Sequence, residues 1–173
     1  MRADRSVRAV ILIATLVGCL VAGAGVAETD RDTEAISLEL AEMFHDDQAE
    51  RREGRMNAAR DRARLDRVRE YLMTDKLTTP ADYFHAAMIF QHSTDRTGRD
   101  HIVAHVLATM AAFEGHAGAR WLSAAALDRA LEFTGEKQFF GTQMRRNRKG
   151  QWVGGEHDRY RTEALRQAFE VRE

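Results

Sequence analysis

Residues 101–135 read HIVAHVLATMAAFEGHAGARWLSAAALDRALEFTG, two apolar helical runs separated by a glycine-containing break. Its first half carries helical periodicity from about Arg99 to Glu114 and stops at Gly115. Its second half runs from about Ala117 to Thr134 and stops at Gly135. Glycine just past a helix suits the left-handed residue that closes the last turn. Both halves are rich in alanine at close spacing, at Ala104, Ala108, Ala111 and Ala112 in the first and at Ala119 and Ala124 to Ala126 in the second. Side chains this small let two helix backbones approach closely, so the stretch predicts an α-helical hairpin.

Working outward, Thr79-Pro80-Ala81-Asp82 is a strong helix start. Threonine caps, proline occupies the first turn without losing a hydrogen bond, and an acid sits at the positive helix end. The helix Pro80 to His92 follows, and Ser93 to Gly98 reads as a turn. Further back, Ile36, Leu40, Met43 and Phe44 recur at helical spacing and predict a helix from about Thr33 to Arg52. A second segment, about Asn57 to Asp75, places Leu65, Val68 and Leu72 on one face. Its neighbouring arginines and aspartates suit a solvated face laced with weak ion pairs. After Gly135 the texture changes. Residues 139–153, FFGTQMRRNRKGQWV, predict a β-hairpin with a glycine-containing turn. Asp158 to Glu170 predicts a last helix with Leu165 and Phe169 facing the body. The fold class is mainly α: a small helical bundle of about five to six helices with a C-terminal β-hairpin.

Composition agrees. The 173 residues are 44% hydrophobic and 31% charged, and 26 Lys+Arg nearly cancel 27 Asp+Glu. That balance argues against a general nucleic-acid binder. One cysteine excludes an internal disulfide framework and any multi-cysteine zinc site. Arg2, Arg5 and Arg8 precede an apolar run from Ala9 to Val17, and small residues follow to Ala27 before the polar Glu28-Thr29-Asp30. This is the order of a secretory signal peptide; a spanning anchor needs about 20 apolar residues, and glycine and alanine dilute the second half of this run. Two processing routes fit. Cleavage after Ala24 or Ala27 gives a signal peptide 1–27 and a single helical domain 28–173. Alternatively, Leu16-Val17-Gly18-Cys19 resembles the bacterial lipoprotein box, which gives a signal 1–18 and lipidation of Cys19. Either route predicts an exported, periplasmic or secreted protein, with membrane attachment only through Cys19. Removal of residues 1–27 leaves 23 basic and 26 acidic residues, a net charge of −3.

Several polar residues stand inside apolar runs. Gln91-His92 ends AAMIF, Asp128-Arg129 interrupts an alanine-rich helix, and Asp47-Gln48 extends the apolar face that includes Met43. Arg51 lies one turn beyond Asp47. Gln138 and Gly141-Thr142-Gln143 flank the pair Phe139-Phe140. Buried charge is costly unless partnered, so these groups are expected to meet one another; Asp128 in particular is expected to reach Arg51, Arg129, His92 or Gln143.

The segments DDQAERRE (46–53), DYFHAAMIFQHS (82–93) and WLSAAALDRALEFTGEKQFFGTQ (121–143) resemble a bacterial domain-of-unknown-function family. That family shows a D-Q pair, a Q-H pair, and D-R followed by G-x-x-Q-[FY]-[FY]-G-T-Q. The likeness runs from about Phe44 to the end of the chain. It implies a mainly helical fold and a shared polar cluster at Asp47, Gln48, Arg51, Gln91, His92, Asp128, Arg129, Gln138, Gly141, Thr142 and Gln143, but no activity. Residues 104–128 also resemble one helix-turn-helix unit of the tetratricopeptide-like repeats; no second copy follows, which argues against a long solenoid.

Two function classes follow. The first is an exported helical module, binding a protein or peptide of the cell envelope or serving a structural role; a broad groove lined by Tyr83, Phe113 and Trp121 would mark it. The second is a small hydrolase or transferase with His92 as general base, oriented by Asp128 or Asp47, and Arg129 holding an anionic group. A deep pocket floored by His92, Asp128 and Gln143 would mark that. The first is the expectation from the sequence. No nucleophile elbow, phosphate loop or nucleotide fingerprint is present, so no cofactor is implied. His101 and His105, four apart near Asp100, have metal-ligand spacing but no third ligand, and His85 and His92 are two turns apart; no metal site is assigned. Arg145, Arg146, Arg148 and Lys149 near Trp152 form the one basic cluster, suited to phosphate, lipid headgroups, an acidic partner or plain solvent.

Overall fold

Three helices with alanine-rich contact faces carry most of the packing within the unit Ser37–Glu173. A computed structural model describes residues 31–172; the expected signal segment and Cys19 lie outside them. Residues 31–52 are helical. The first six close a unit that ends at Ile36, and residues 37–52 are α1 of a second unit, Ser37–Glu173. That unit continues with α2 (Ala58–Met73), α3 (Pro80–Gln91), α4 (Arg99–Phe113) and α5 (Ala119–Phe133). It ends with β1 (Met144–Arg146), β2 (Trp152–Gly154) and α6 (Glu163–Ala168). The mainly helical class and the small C-terminal two-stranded antiparallel sheet are therefore those read from the sequence.

The starts of α2 and α3 follow from single side chains. Asn57 Oδ1 accepts from the backbone of Ala59 and Arg60 at 3.0 and 3.1 Å. At α3, Thr79 Oγ1 accepts from Asp82 N while Asp82 Oδ2 accepts from Thr79 N, the reciprocal capping box. Gly98 precedes α4 at φ +77, and a side chain there would meet the Ala130 carbonyl of α5 at 2.9 Å. The close approach of α4 to α5 thus depends on small residues at their contact.

Helix α4 packs on both α3 and α5, and α2 packs on α3. Ala104, Leu107, Ala108 and Ala111 form the buried stripe of α4. The buried apolar residues of the helices it packs on are Ala86, Ala87, Ile89 and Phe90 of α3, and Ala119, Leu122, Ala124, Ala125, Ala126 and Ala130 of α5. Leu40, Leu65, Val68 and Tyr71 are the buried apolar residues of α1 and α2. Below α5, Ala124, Phe140 and Val171 form a smaller core with Leu127, Phe139 and Phe169 against it.

Three details depart from expectation. The hairpin begins at Met144, not Phe139, because the preceding N–H groups bond to side chains: those of Phe139, Phe140 and Thr142 to Asp128, and that of Gln143 to Gln138. No ladder can form with donors already committed. Helix α6 begins at Glu163 rather than Asp158, since Asp158 N is drawn to Gln138 O at 2.8 Å and Thr162 caps the helix. Leu165 accordingly faces solvent, while Phe169 packs on Phe140 with ring centroids 4.7 Å apart. Finally, α2 is not wholly solvated on its charged side. Arg64 is buried and holds Glu50 through both oxygens at 3.1 and 2.8 Å.

Candidate functional site

Asp47 is the hub of the first polar group. It is 2% exposed, on the inner face of α1. Arg51 Nε donates to its Oδ1 and Oδ2 at 3.1 and 3.3 Å, with Nη2 3.0 Å from Oδ1, and Gln48 Nε2 donates at 2.9 Å. His92, at the C-cap of α3, places Nδ1 2.7 Å from Asp47 Oδ2. An ionised carboxylate only accepts, so Nδ1 carries the proton. Burial disfavours the Asp47 carboxylate, but the hydrogen bonds and charge of His92 and Arg51 outweigh it and hold its pKa below the ordinary value. Burial likewise pushes the imidazolium of His92 below its usual range against the pull of Asp47, and Arg51 and Arg129 push the same way. A neutral ring with Nδ1–H bound to Asp47 leaves the Nε2 lone pair free.

His92 lines a cleft of about 380 Å³ between the start of α2 and the turn 93–98. Asp61, Arg62, Leu65 and Arg69 form one wall, and Ser93 to Arg96 with Asp100 the other. Arg69 is committed to Asp100 at 2.9 and 2.8 Å. Arg62 and Arg96 have no carboxylate partner among the described residues. The Ser93 hydroxyl donates to Asp100 and accepts from Asp95 N, so it is not presented to His92.

Asp128 belongs elsewhere. It is fully buried in α5, and its carboxylate accepts from Phe139 N (2.7 Å), Phe140 N (2.9 Å), Thr142 N (2.8 Å) and Thr142 Oγ1 (2.8 Å). The expected contact with Arg51, Arg129, His92 or Gln143 is absent. Four preorganised donors satisfy this charge without a cation, in a sealed clamp that fixes the 139–142 loop on α5. Gln143 continues the clamp: its N–H donates to Gln138 Oε1 at 2.9 Å and its Nε2 to Ala125 O at 2.9 Å. Gln138 in turn donates to Glu132 and to the Gln143 carbonyl. Gly141 turns the loop where a side chain would strike Arg161 at 2.7 Å.

Arg129 bridges the two groups. Its Nε donates to Gln143 Oε1 at 2.9 Å and its Nη1 to the carbonyl of Gln91, the residue before His92, at 2.8 Å. Burial draws its pKa below the usual value, with nearby Glu132 opposing. Arg129 and Gln143 border a separate cavity of about 680 Å³ with Glu132, Phe133 and Arg145. His92, Asp128 and Gln143 therefore share no floor, and Asp47 rather than Asp128 orients His92. Trp121 borders a third depression with Gly141 and Arg166, which neither Tyr83 nor Phe113 lines.

The histidine pair of α4 separates. His105 Nδ1 is 2.9 Å from both the carbonyl and the hydroxyl of Ser123. His101 is fully buried, stacks on Phe133 at 4.9 Å, and has no hydrogen-bond partner at either ring nitrogen. Among the described residues no three His, Cys, Asp or Glu side chains converge to hold a metal, and no helix is long and apolar enough to cross a membrane. Sequence reasoning missed Asp61, Asp100, Arg69 and the turn 93–96 as cleft walls. It also missed Gly155, where any side chain would overlap Gln138 Nε2. Arg69 meets Asp100 across 31 residues and Gly155 lies against Gln138, contacts that only the fold brings together.

No protein-family model, curated protein or solved structure gives a significant match to this chain. The resemblance to a domain family of unknown function thus stands on its motifs alone.

Proposed function

We propose that this chain is a small acid–base enzyme of the cell envelope, a hydrolase or transferase with His92 as the proton-transfer residue and Asp47 as its positioning partner. The observation that carries this reading is the 2.7 Å Nδ1 contact to a buried carboxylate on a ring that borders an open cleft. A histidine so held presents a basic Nε2 at neutral pH and keeps its orientation through the reaction. Because Ser93 is committed to Asp100, the group His92 would activate is water or an incoming substrate hydroxyl. Arg62 and Arg96 offer the cleft's uncommitted cations to an anionic part of the substrate. Turnover of a panel of phosphate esters, carboxylic esters and amides by the wild type and His92→Gln tests this. Loss of turnover by at least 100-fold in the variant is expected; equal turnover, or none by either protein, contradicts it.

A second reading, the exported module that binds an envelope protein or peptide, draws on a different surface. Ile102, Val106, Met110 and Phe113 follow one another along the outer side of α4 and are 46%, 50%, 38% and 88% exposed. Spaced by four, four and three residues, they make an apolar stripe suited to a partner helix. Val106→Asp should abolish such binding and leave chemistry at His92 intact.

A further inference from the structure

The hairpin β1–β2 is a separate surface. Residues 144–154 read MRRNRKGQWVG, with four cations and no acid, in a chain of net charge −1. Arg145, Arg146, Arg148 and Lys149 are all exposed, and none has a carboxylate partner among the described residues. The register pairs Met144 with Gly154, Arg145 with Val153 and Arg146 with Trp152. Cross-strand partners share a face, so Met144, Arg146 and Trp152 lie on one side. Trp152 is 61% and Met144 52% exposed, and the Arg146 guanidinium lies 5.0 Å above the indole.

The tip is built rather than slack. Asn147 O accepts from Gly150 N at 2.9 Å, and Asn147 N donates to Gln151 O at 2.9 Å. Asn147 Oδ1 accepts from Lys149 N and Gln151 N at 2.9 and 3.0 Å, and Gly150 takes φ +76. This is a tight turn closed by a left-handed glycine. It holds Arg148 and Lys149 at the apex at little further entropic cost on binding.

We propose that this hairpin docks on an anionic lipid bilayer surface. Unpaired cations at the apex meet headgroup phosphates, and an exposed indole beside an exposed thioether enters the interfacial zone, where tryptophan is favoured. An acidic polypeptide would use the cations but gives no reason for the open Met144–Trp152 face. This inference is independent of the chemistry assigned to His92.

The test uses the full chain carrying Trp121→Phe, which leaves Trp152 as the only indole. Its emission is titrated with vesicles of mixed phosphatidylglycerol and phosphatidylcholine, and with pure phosphatidylcholine. A blue shift and quenching by bromolipid with the anionic vesicles alone, weakening as salt rises, is expected. Arg145→Gln, Arg146→Gln, Arg148→Gln and Lys149→Gln together should reduce the apparent affinity by several hundredfold, roughly fivefold per cation. Arg148→Gln with Lys149→Gln should reduce it by roughly 25-fold. An equal shift on pure phosphatidylcholine overturns the proposal. So does an unchanged titration in the fourfold variant, or a response to soluble polyglutamate with none to anionic vesicles.

Discussion

Asp128 and Asp47 are both buried acids, and their partners give them opposite roles. Asp128 meets three backbone N–H groups and a hydroxyl in a closed loop, whereas Asp47 meets an arginine and a histidine beside a cleft. Truncating Asp128 orphans buried donors, so Asp128→Ala should cost on the order of 3–5 kcal/mol in denaturant unfolding. His92→Gln leaves the cleft wall in place and should change stability by less than about 1.5 kcal/mol while removing turnover. A small loss for Asp128→Ala would contradict the clamp. The sequence exposed both acids as anomalies because each interrupts an apolar face. It offered Arg51 and His92 to Asp47, both of which are its partners, but misassigned those of Asp128, whose donors are mostly main-chain groups that every residue type carries. Arg129 was equally visible, yet its partners are neutral oxygens of Gln143 and Gln91, which no charge pattern announces.

Among the elements, the α4–α5 hairpin was the most legible, because alanine spacing and the glycines after each helix are local signals. Gly98 adds a tertiary constraint: it combines a left-handed backbone with 2.9 Å access to the Ala130 carbonyl. Gly98→Ala should destabilise by about 1–3 kcal/mol, combining backbone strain with displacement of α5. Gly115→Ala, with open space around it, should cost only the conformational part, about 1 kcal/mol. Equal melting temperatures for the two variants would show that α4 and α5 do not depend on this contact. The β-hairpin and α6 were legible as elements but not in extent. Asp128 and Gln138 capture the N–H groups of residues 139, 140, 142 and 143, and Gln138 O captures that of Asp158. Such capture is invisible to any pattern within the segment.

For the molecule as a whole, burial sets the response to acid. The pKa values of His85 and His92 are pushed below the ordinary value, and that of His101 to about 4, in each case first by burial. As pH falls from about 6.5 towards 4, the unfolded chain binds protons on these rings that the folded chain refuses, so stability falls. Each ring contributes a slope of up to about 1.4 kcal/mol per pH unit within its window. Glu39 and Asp47 have lowered values and extend the loss below pH 4. Melting temperature should therefore decline from about pH 6.5 downwards, less steeply in His101→Leu. A rise on acidification from pH 7 to 5 would contradict this ordering. The order of residues 1–27 leads us to expect export, by cleavage or by lipidation at Cys19; mass spectrometry of the mature protein should show a form beginning after Ala24 or Ala27, or at a lipidated Cys19, rather than at Met1.

Whether His92 can act as a base is read from its protonation state, without a known substrate. Nitrogen-15 and proton correlation spectra of the histidine rings at pH 7, assigned with His92→Gln, report charge and tautomer together. A neutral His92 ring protonated at Nδ1, with an apparent pKa below 6.5 and a changed tautomer balance in Asp47→Asn, is the predicted result. A ring protonated at Nε2, or doubly protonated at pH 7, leaves no base facing the cleft and contradicts the account.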